Sequence, residues 1–421
     1  MSINKGNRGA TIKGKKEGVA IITAAPGWNE PDANSPACKV TVLPVSVDSI
    51  DLSPDTLKVV VNSNAIARLK VRIFDSVGVT FVRSPLTWTS SVSTVAKVYW
   101  STGPSYTSQA GHIRGYKLGE VTITASYGDV SGTARVRVLP EHLYGVWGNT
   151  VDDVFTVGIG GAIYHYDGTS WAKMASGTKQ TLRDIWGDSL GEYFAVGDGN
   201  TILHYDDGIW NVMDSGGLRS YSGGLRSYNG VWGNSSSDVF VVGGSIISGG
   251  SIIHYDGNSW TNMELGQTGD LQDIWGGSET QVFTVGNGGS IRHYDGQSWT
   301  TMESGTLFTL KGVWGHAASD VLAIGRGIII HYDGNTWRQE KLAGWSDLNG
   351  VWGSSANKVF AVGKDGVIQH FNGSHWSSMA SGTTETLWNI WGSSGGDVFA
   401  VGDFGTILHF DGISWTAMEI Q

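Results

Sequence analysis

Apolar and polar residues alternate in short runs along the whole chain, and from Leu143 onward one run returns seven times at intervals of mostly 38 or 39 residues. Its consensus is L-x-G-V-W-G-x-S-x-x-D-V-F-A-V-G-x-x-G-x-I-x-H-Y-D-G-x-S-W-x-x-M. Each copy holds four β-rich runs separated by Gly, Asp, Asn or Ser turns, the pattern of one four-stranded blade. The repeats therefore predict an all-β protein with a seven-bladed β-propeller over residues 140–421.

Every copy contains two tryptophans, one in its first strand and one in its fourth. Blade-to-blade packing needs a large apolar side chain at the same place in every blade. We therefore expect these residues to form the core, where truncating one costs about 3–5 kcal/mol. The alternative is a propeller lectin, in which one tryptophan per blade stacks on a sugar. The first set is Trp147, Trp186, Trp232, Trp275, Trp314, Trp352 and Trp391, and the second is Trp171, Trp210, Trp260, Trp299, Trp337, Trp376 and Trp415.

Residues 45–139 alternate in short strands bounded by turn residues, which predicts a β-sandwich. The runs LTWTSSVSTVAKV (Leu86–Val98) and IRGYKLGEVTITA (Ile113–Ala125), followed by ARVRVLP, resemble the bacterial Ig-like domain of group 2. The resemblance covers about 95 residues. It implies an Ig-like module of the kind found in stalks and spacers of secreted or surface proteins of bacteria.

Residues 1–44 repeat the second half of that module. The runs ATIKGKKEGVAIITAA (Ala10–Ala25) and CKVTVLP (Cys38–Pro44) match IRGYKLGEVTITASY and ARVRVLP, so we expect the last strands of an incomplete Ig-like domain. An incomplete sandwich exposes unpaired strand edges. Two interpretations stay open: the sequence is a fragment, or a neighbouring subunit donates the missing strands and builds a surface filament.

The turn D-G-x-S-W before the fourth strand is a hairpin turn by its Asp-Gly pair. It resembles the corresponding turn of kelch and Asp-box propellers, although their full signatures are not met. The resemblance implies that the first strand lines the channel and the fourth is outermost. Because the copies run from Leu143 to Met418, we expect the ring to close by face-to-face packing alone.

The chain has 421 residues and a formal net charge of −10, unevenly divided. Residues 1–139 hold 16 Lys and Arg against 9 Asp and Glu, whereas residues 140–421 hold 12 against 29. An acidic propeller repels phosphate, which argues against a nucleic-acid partner. No stretch approaches 18 apolar residues, so no membrane insertion is expected. The basic start resembles a secretory signal too weakly to predict one, and the single Cys38 excludes an internal disulfide framework.

Seven histidines occupy the third strand of the repeat. That strand should lie about 10 Å outside the first, at ~4.8 Å per strand, so neighbouring copies cannot share a zinc ion with nitrogens at about 2.1 Å. We expect them to form hydrogen bonds within each blade, and we expect no cofactor. The histidines are His165, His204, His254, His293, His331, His370 and His409. Four copies have an Asp before the second strand (Asp153, Asp238, Asp320 and Asp397), predicted to cap a turn, with calcium binding as the alternative.

A repetitive scaffold is expected to carry its function where the copies differ. The connections from fourth to first strand and the loops from second to third strand leave the blades on one face, and variation concentrates there. The residues after the leading Leu of the first strand predict a ring at the channel mouth: Tyr144, Arg183, Asn229, Gln272, Lys311, Asn349 and Trp388. The loops from second to third strand add Asp198, Arg326, Lys364 and Phe404. We predict that this face binds the ligand.

Two tandem duplications lengthen the third copy on the same face. GGLRSYS is followed by GGLRSYN (Gly216–Asn229), and GGSIIS by GGSII (Gly243–Ile253). Arg and Tyr are enriched at interface hot spots. The duplications therefore predict a docking patch of Arg219, Tyr221, Arg226 and Tyr228, with replication slippage as the alternative.

No motif for a nucleophile elbow, a phosphate loop or a zinc hydrolase is present. Paired carboxylates for sugar hydrolysis cannot be assigned, because nearly every Asp is a repeat position. The sequence therefore favours a non-catalytic protein, secreted or on a bacterial cell surface, whose propeller docks a protein partner or associates with itself. Glycan binding between blades and a carbohydrate-active hydrolase or lyase are the alternatives.

Overall fold

A computed structural model describes residues 47–61, 67–75, 78–80, 86–100, 110–214, 227–245, 249–263, 269–340 and 346–420, together with four strands between residues 2 and 42. The chain divides into two units. The first is formed by Met1–Val59 and Ala65–Val138, and the second by Val60–Asn64 and Leu139–Gln421.

The first unit consists of β-strands. In chain order they are β1 Ser2–Gly6, β2 Gly9–Lys13, β3 Gly18–Thr23, β4 Ala37–Val42, β5 Ser49–Ser53, β6 Thr56–Val60, β7 Ala67–Asp75, β8 Gly78–Thr80, β9 Thr87–Ser90, β10 Ala96–Trp100, β11 Ala110–Gly115, β12 Gly119–Tyr127 and β13 Val130–Leu139. One sheet has the order β10-β11-β7-β5 with β8 beside β7, a second has the order β6-β13-β12-β9, and β1-β2 and β3-β4 are two hairpins. The hairpin β3-β4 thus pairs the two segments that match β12 and β13 in sequence.

The two larger sheets pack face to face through their alternating apolar positions. Val121, Ile123 and Ala125 of β12 are buried, whereas the residues between them are more exposed. Trp88 fills the space above Gly111, where a Cβ would lie 2.6 Å from the indole ring. A sheet with one buried face produces this period-two pattern.

The second unit contains seven successive four-stranded sheets in the part of the chain that the structure describes, and we number these blades 1 to 7. Blade 1 consists of β14 Leu143–Thr150, β15 Asp153–Gly158, β16 Ile163–Tyr166 and β17 Trp171–Met174, and blade 2 of β18 Leu182–Gly187, β19 Tyr193–Gly197, β20 Ile202–Asp206 and β21 Ile209–Val212. Blade 3 consists of β22 Ser227–Ser235, β23 Asp238–Ser245, β24 Gly249–Tyr255 and β25 Trp260–Met263, and blade 4 of β26 Leu271–Ser278, β27 Gln281–Gly286, β28 Ile291–Tyr294 and β29 Trp299–Met302. Blade 5 consists of β30 Leu310–Ala317, β31 Asp320–Gly325, β32 Ile328–Tyr332 and β33 Trp337–Gln339. Blade 6 consists of β34 Leu348–Ser355, β35 Lys358–Gly363, β36 Ile368–Phe371 and β37 Trp376–Met379, and blade 7 of β38 Leu387–Ser394, β39 Asp397–Gly402, β40 Ile407–Phe410 and β41 Trp415–Met418. Single 3-10 turns join the second and third strands of four blades: Ile159–Gly161, Asn287–Gly289, Lys364–Gly366 and Asp403–Gly405.

The first strands of neighbouring blades contact one another around a ring, and β14 of blade 1 contacts β38 of blade 7. The first strands therefore surround the axis, and the all-β and propeller predictions are confirmed. Closure does not rest on face-to-face packing alone. Ile420, beyond the last strand, forms a parallel backbone bridge with Trp171 of blade 1. The expectation that the ring closes by packing alone was therefore wrong, because this bridge also joins blade 1 to the end of the chain.

The repeated Trp-Gly dipeptide is explained by contacts between blades. In six of the seven junctions, the first-strand tryptophan of one blade lies over the first-strand glycine of the next. A Cβ on Gly315, for example, would lie 2.5 Å from the ring of Trp275. Trp391 lies over Gly148 in the same way, so this contact also joins blade 7 to blade 1. The exception is Gly187 of blade 2, which is covered by Tyr193.

The fourth-strand tryptophans form a second, outer layer of the same wall. Trp171, Trp210 and Trp415 meet the edge of a phenylalanine in the preceding blade; the ring pairs are Trp171 with Phe399, Trp210 with Phe155, and Trp415 with Phe360. Trp171 is only 1 % exposed. We call these two layers of inter-blade contacts the inter-blade wall. Eight of the fourteen repeated tryptophans are buried and the other six are partly buried against the inter-blade cores, which agrees with the predicted packing role.

Candidate functional site

Two kinds of loop meet on one face of the propeller, which we call the mouth face. The loop from second to third strand hydrogen-bonds the connection that leads into the first strand. Examples are Ile159 N–H to His142 O at 3.0 Å, and Asp403 N–H to Thr386 O at 2.9 Å. The turns between third and fourth strands lie at the other ends of the strands. The predicted assignment of loops to one face agrees with these bonds.

All seven predicted ring residues line one cavity at the axial end of the first strands. This mouth cavity has a volume of about 270 Å³. Each ring residue is the extra residue of a β-bulge, because pairing with the second strand shifts between the leading apolar residue and the residue two positions later. A bulge redirects the side chain that it contains. The lining residues are Tyr144, Arg183, Asp184, Asn229, Gln272, Asp273, Lys311, Asn349, Gly350, Trp388 and Asn389.

The two cations of the ring are held by carboxylates. Arg183 Nε donates to Asp198 Oδ1 at 2.6 Å. Lys311 Nζ donates to Asp347 Oδ1 and to Asn349 Oδ1, both at 2.8 Å. These bonds fix the direction of both long side chains, so the cavity wall is preorganised.

The two amides Asn229 and Asn349 bind the next blade. Asn229 Nδ2 donates to Leu271 O at 2.8 Å, and Asn349 Nδ2 donates to Leu387 O at 2.9 Å. Asn349 is buried. The ring is therefore part of the blade-to-blade hydrogen bonding as well as the cavity wall.

The aromatic side of the cavity is built from Tyr144 and Trp388. Their rings meet edge to face with centroids 5.5 Å apart. Trp388 Nε1 donates to Asp403 Oδ1 at 2.7 Å, and the same carboxylate oxygen lies 2.9 Å from His142 Nδ1. Burial raises the pKa of Asp403, but the bonds from His142 and Trp388 outweigh it and the net shift is downward. Asp403 thus stays ionised and holds the indole in place.

The floor of the cavity contains three polar residues, Asp184, Asp273 and Asn389. Asp184 Oδ2 accepts from Val231 N–H at 3.0 Å, and Asp273 Oδ2 accepts from Val313 N–H at 2.8 Å. The equivalent residue in the other four blades is glycine. Sequence reasoning missed these residues, although the departure from glycine in blades 2, 4 and 7 is visible in the repeat.

Burial is the main cause of the raised pKa values of the two carboxyl groups on this floor. Desolvation raises the pKa of Asp273 to about 7, opposed by the N–H groups of Val313 and Ile274. Desolvation and the nearby Asp273 raise the pKa of Asp184 well above its usual range. Burial also raises the pKa of Asp270, at the rim. A buried carboxylate pair resists double ionisation.

The predicted loop residues lie outside the cavity lining. Asp198 acts on it through Arg183. Arg326 and Lys364 are exposed on their loops. Phe404 packs on His142 with ring centroids 4.7 Å apart. These four therefore surround the cavity rather than form its wall.

The predicted patch on the duplicated loops is corrected at Tyr228. This residue is fully buried and belongs to the core between blades 2 and 3, because it occupies the position of the leading Leu. Arg219, Tyr221 and Arg226 lie outside the described residues. The second duplication lengthens strands β23 and β24 by pairing Gly243 with Ser251 and Gly244 with Gly250. It extends a hairpin on the mouth face, where a longer loop was expected.

The repeated histidines contact polar side chains of their own blades, as predicted, except His370, whose Nε2 is buried without a hydrogen-bond partner as far as the structure describes the chain. His165 Nε2 lies 2.7 Å from Asp153 Oδ1, and His409 Nε2 lies 2.6 Å from Asp397 Oδ1. Asp238 and Asp320 bind their histidines in the same way. The four aspartates thus pair with histidine on the neighbouring strand, so the turn-cap interpretation was wrong.

Among the described residues, no group of three or more His, Cys, Asp or Glu is arranged to hold a metal ion. Over the same residues, none of the helices has the length and apolarity needed to cross a bilayer.

No protein-family model and no curated protein matches this chain. Several solved structures do. The structure of YCF48 bound to D1 peptide is 14 % identical with a TM-score of 0.53, over 65 % of this chain and 94 % of that one. YCF48 from Cyanidioschyzon merolae is 15 % identical with a TM-score of 0.52, over 65 % and 96 %. The WD40 propeller domain of Doa1 is 12 % identical with a TM-score of 0.53, over 66 % and 94 %. At these identities the likeness shows the propeller fold alone.

Proposed function

We propose that this protein is a non-catalytic binding protein that captures a peptide segment of a protein partner at the mouth face of a seven-bladed propeller. The observation that carries the proposal is the convergence of all seven variable ring residues on one cavity. Repeated residues serve packing, whereas these seven positions hold six different residue types. A unique site on a repetitive scaffold is where specific recognition can be built.

Exposed apolar residues beside the cavity support a protein partner. Leu307 and Phe308 lie in the connection from blade 4 to blade 5 and are 90 % and 58 % exposed. This connection belongs to the mouth face, since Thr309 Oγ1 donates to Asn287 Oδ1 at 3.3 Å. Equivalent positions in blades 1 and 6 are polar: Lys179-Gln180 and Thr384-Glu385. Aromatic residues are enriched in protein interfaces.

The similar YCF48 propeller, solved bound to D1 peptide, shows that this fold can hold a peptide. A repeat-wise lectin is less well supported here. Its sugars would need an exposed indole in each blade, but Trp171, Trp376 and Trp415 are buried in the inter-blade wall. The aromatic pair Tyr144 and Trp388 occurs once, which suits one site per molecule.

The rest of the chain fits an Ig-like module that carries the propeller on the surface of a bacterium or in its secreted fraction. This part of the proposal rests on the sequence resemblance over residues 45–139 and on the two sheets that these residues form. Self-association through residues 1–44 stays a prediction.

The test is selection from a phage-displayed library of random 12-residue peptides against the whole chain. Enriched peptides are then measured on two matched variants. Leu307→Ser combined with Trp388→Ala removes apolar surface on the mouth face, and Ile413→Ser removes an equally exposed aliphatic residue, 86 % exposed, on the opposite face. We expect at least tenfold weaker binding to the first variant and unchanged binding to the second. Equal binding to both, or no enrichment from the library, would overturn the proposal.

A further inference from the structure

Carboxyl groups outnumber basic side chains around the mouth cavity. Arg183 and Lys311 are each engaged by one carboxylate, Asp198 and Asp347. Asp403 is engaged by His142. Three further carboxylates, those of Asp184, Asp270 and Asp273, lie on the floor and at the rim.

These three carboxylates receive hydrogen bonds from neutral groups in the described part of the chain. Asp184 accepts from Val231 N–H and from Asn389 Nδ2. Asp273 accepts from Ile274 N–H and Val313 N–H. Asp270 accepts from Gln272 Nε2 at 3.2 Å and from Asn229 Nδ2 at 3.4 Å. Neutral donors orient these carboxyl groups, while burial opposes their ionisation until a cation enters the cavity.

The shape and walls of the cavity narrow the class of counter-ion. At about 270 Å³ it is smaller than the ≈ 300–1,000 Å³ of typical small-molecule pockets, which suits a single side chain. Tyr144 and Trp388 offer the aromatic faces that attract organic cations. A bare divalent ion such as calcium takes 6–8 oxygen ligands, and the described residues contain no cluster suited to a metal.

We propose that the mouth cavity receives one basic side chain of the partner, a lysine ammonium or an arginine guanidinium, between the aromatic pair and the carboxylates of Asp184, Asp270 and Asp273. This inference rests on the proposed function and names the chemistry of its partner. Charge complementarity of this kind sets specificity more than it sets affinity. The partner's basic side chain supplies the cation that favours ionisation of these carboxyl groups.

The probes are three small amides that differ only in the side chain: N-acetyl-lysine-N-methylamide, N-acetyl-arginine-N-methylamide and the neutral N-acetyl-norleucine-N-methylamide. The readout is the indole N–H signal of Trp388 in the 1H–15N spectrum of the whole chain, assigned by its loss in Trp388→Phe. We expect the two basic amides to shift this signal saturably at millimolar concentration, with at least tenfold weaker binding of the norleucine amide.

The charge-removal variant is Asp184→Asn combined with Asp273→Asn. Its matched control is Asp295→Asn combined with Asp411→Asn, which removes the same charge from turns on the opposite face. We expect at least tenfold weaker binding of the lysine amide to the first and unchanged binding to the second. If the floor variant fails to fold, Asp270→Asn at the rim replaces it, with an expected loss of at least threefold.

The outcomes separate this inference from the proposed function. Equal shifts from the norleucine and lysine amides would overturn the preference for a basic side chain while leaving the mouth face as a peptide site. Equal weakening by the floor variant and by its control would overturn the roles of Asp184 and Asp273. Failure of the peptide selection, in contrast, would remove the mouth face as a docking site altogether.

Discussion

The inter-blade wall and the mouth cavity are built from the same first strands, only a few residues apart, yet they follow different rules. In the wall, Trp275 over Gly315 is repeated in nearly every junction. In the cavity, the residue that follows the leading apolar residue of the first strand changes from tyrosine to arginine, amide, lysine or tryptophan. The wall packs its side chains against each other, whereas the ring side chains line an open cavity. Repetition therefore identifies packing, and departure from repetition identifies the candidate site.

Truncating a wall residue should have the largest effect. Trp171→Ala removes a fully buried indole that packs on Phe399, so we expect a loss of about 3–5 kcal/mol in the free energy of unfolding. Denaturant titration followed by circular dichroism measures it. The half-buried Trp388→Ala should lose less than half as much. A larger loss from Trp388→Ala would break the distinction between wall and cavity.

The wall should also reject a single added methyl group. Gly315→Ala places a Cβ against the ring of Trp275, and overpacking of this kind costs about 1–3 kcal/mol. The control is Gly396→Ala, whose Cβ would meet no atom closer than 3.8 Å. Thermal unfolding of both variants gives the comparison. Equal stability of the two would show that the Trp-Gly contact can relax.

The raised pKa of Asp273 on the cavity floor should make the stability of the protein depend on pH. The pKa of Asp273 rises from an ordinary 3.8 to about 7 on folding, so the folded state binds the proton more tightly and stability falls as pH rises from about 4 to 7. At about 1.4 kcal/mol per pKa unit, we expect a loss on the order of 4 kcal/mol across this range. The turn carboxylates Asp167 and Asp411 have lowered pKa values, and their stabilisation is lost only below about pH 4.

Asp273→Asn tests the origin of that slope, because an amide cannot ionise. Urea titrations at pH 5 and pH 7.5 should differ less for the variant than for the native chain. An unchanged slope would assign the pH dependence to a group other than Asp273.

The smallest expected effect concerns the one junction that departs from the wall rule. At blade 2, Tyr193 covers Gly187, and its hydroxyl donates to Asp153 Oδ2 at 2.6 Å. Tyr193→Phe should cost about 1 kcal/mol, because Asp153 keeps its bond from His165. A double-mutant cycle with Asp153→Ala measures the coupling. No coupling would mean that the ring of Tyr193, without its hydroxyl, holds this junction.

The sequence predicted the wall and the ring but missed the floor. The 39-residue period and its turn residues were enough to place four strands per copy, and the offset from the leading Leu was enough to bring Tyr144 and Trp388 together. Asp184 and Asp273 were missed because they lie one residue beyond the ring position, where the repeat consensus is glycine. The turn-cap interpretation of Asp153 was wrong because a one-dimensional pattern does not show which histidine lies opposite.

Tyr228 shows the limit of arguing from residue type. Its neighbourhood is rich in Arg and Tyr, which favours an interface, but its register places the ring in a core position between blades 2 and 3. Register decides burial in a β-sheet, since a shift of one residue turns a side chain to the other face. The repeat alignment already contained that register, and composition alone did not.

The central claim, that recognition occurs at the mouth cavity, is tested most directly by solving the structure of the chain with the most enriched selected peptide. The account predicts a peptide across the mouth face with one basic side chain between Tyr144, Trp388 and the carboxylates of Asp184 and Asp273. A peptide bound along an outer fourth strand, or on the face that carries Ile413, would contradict it.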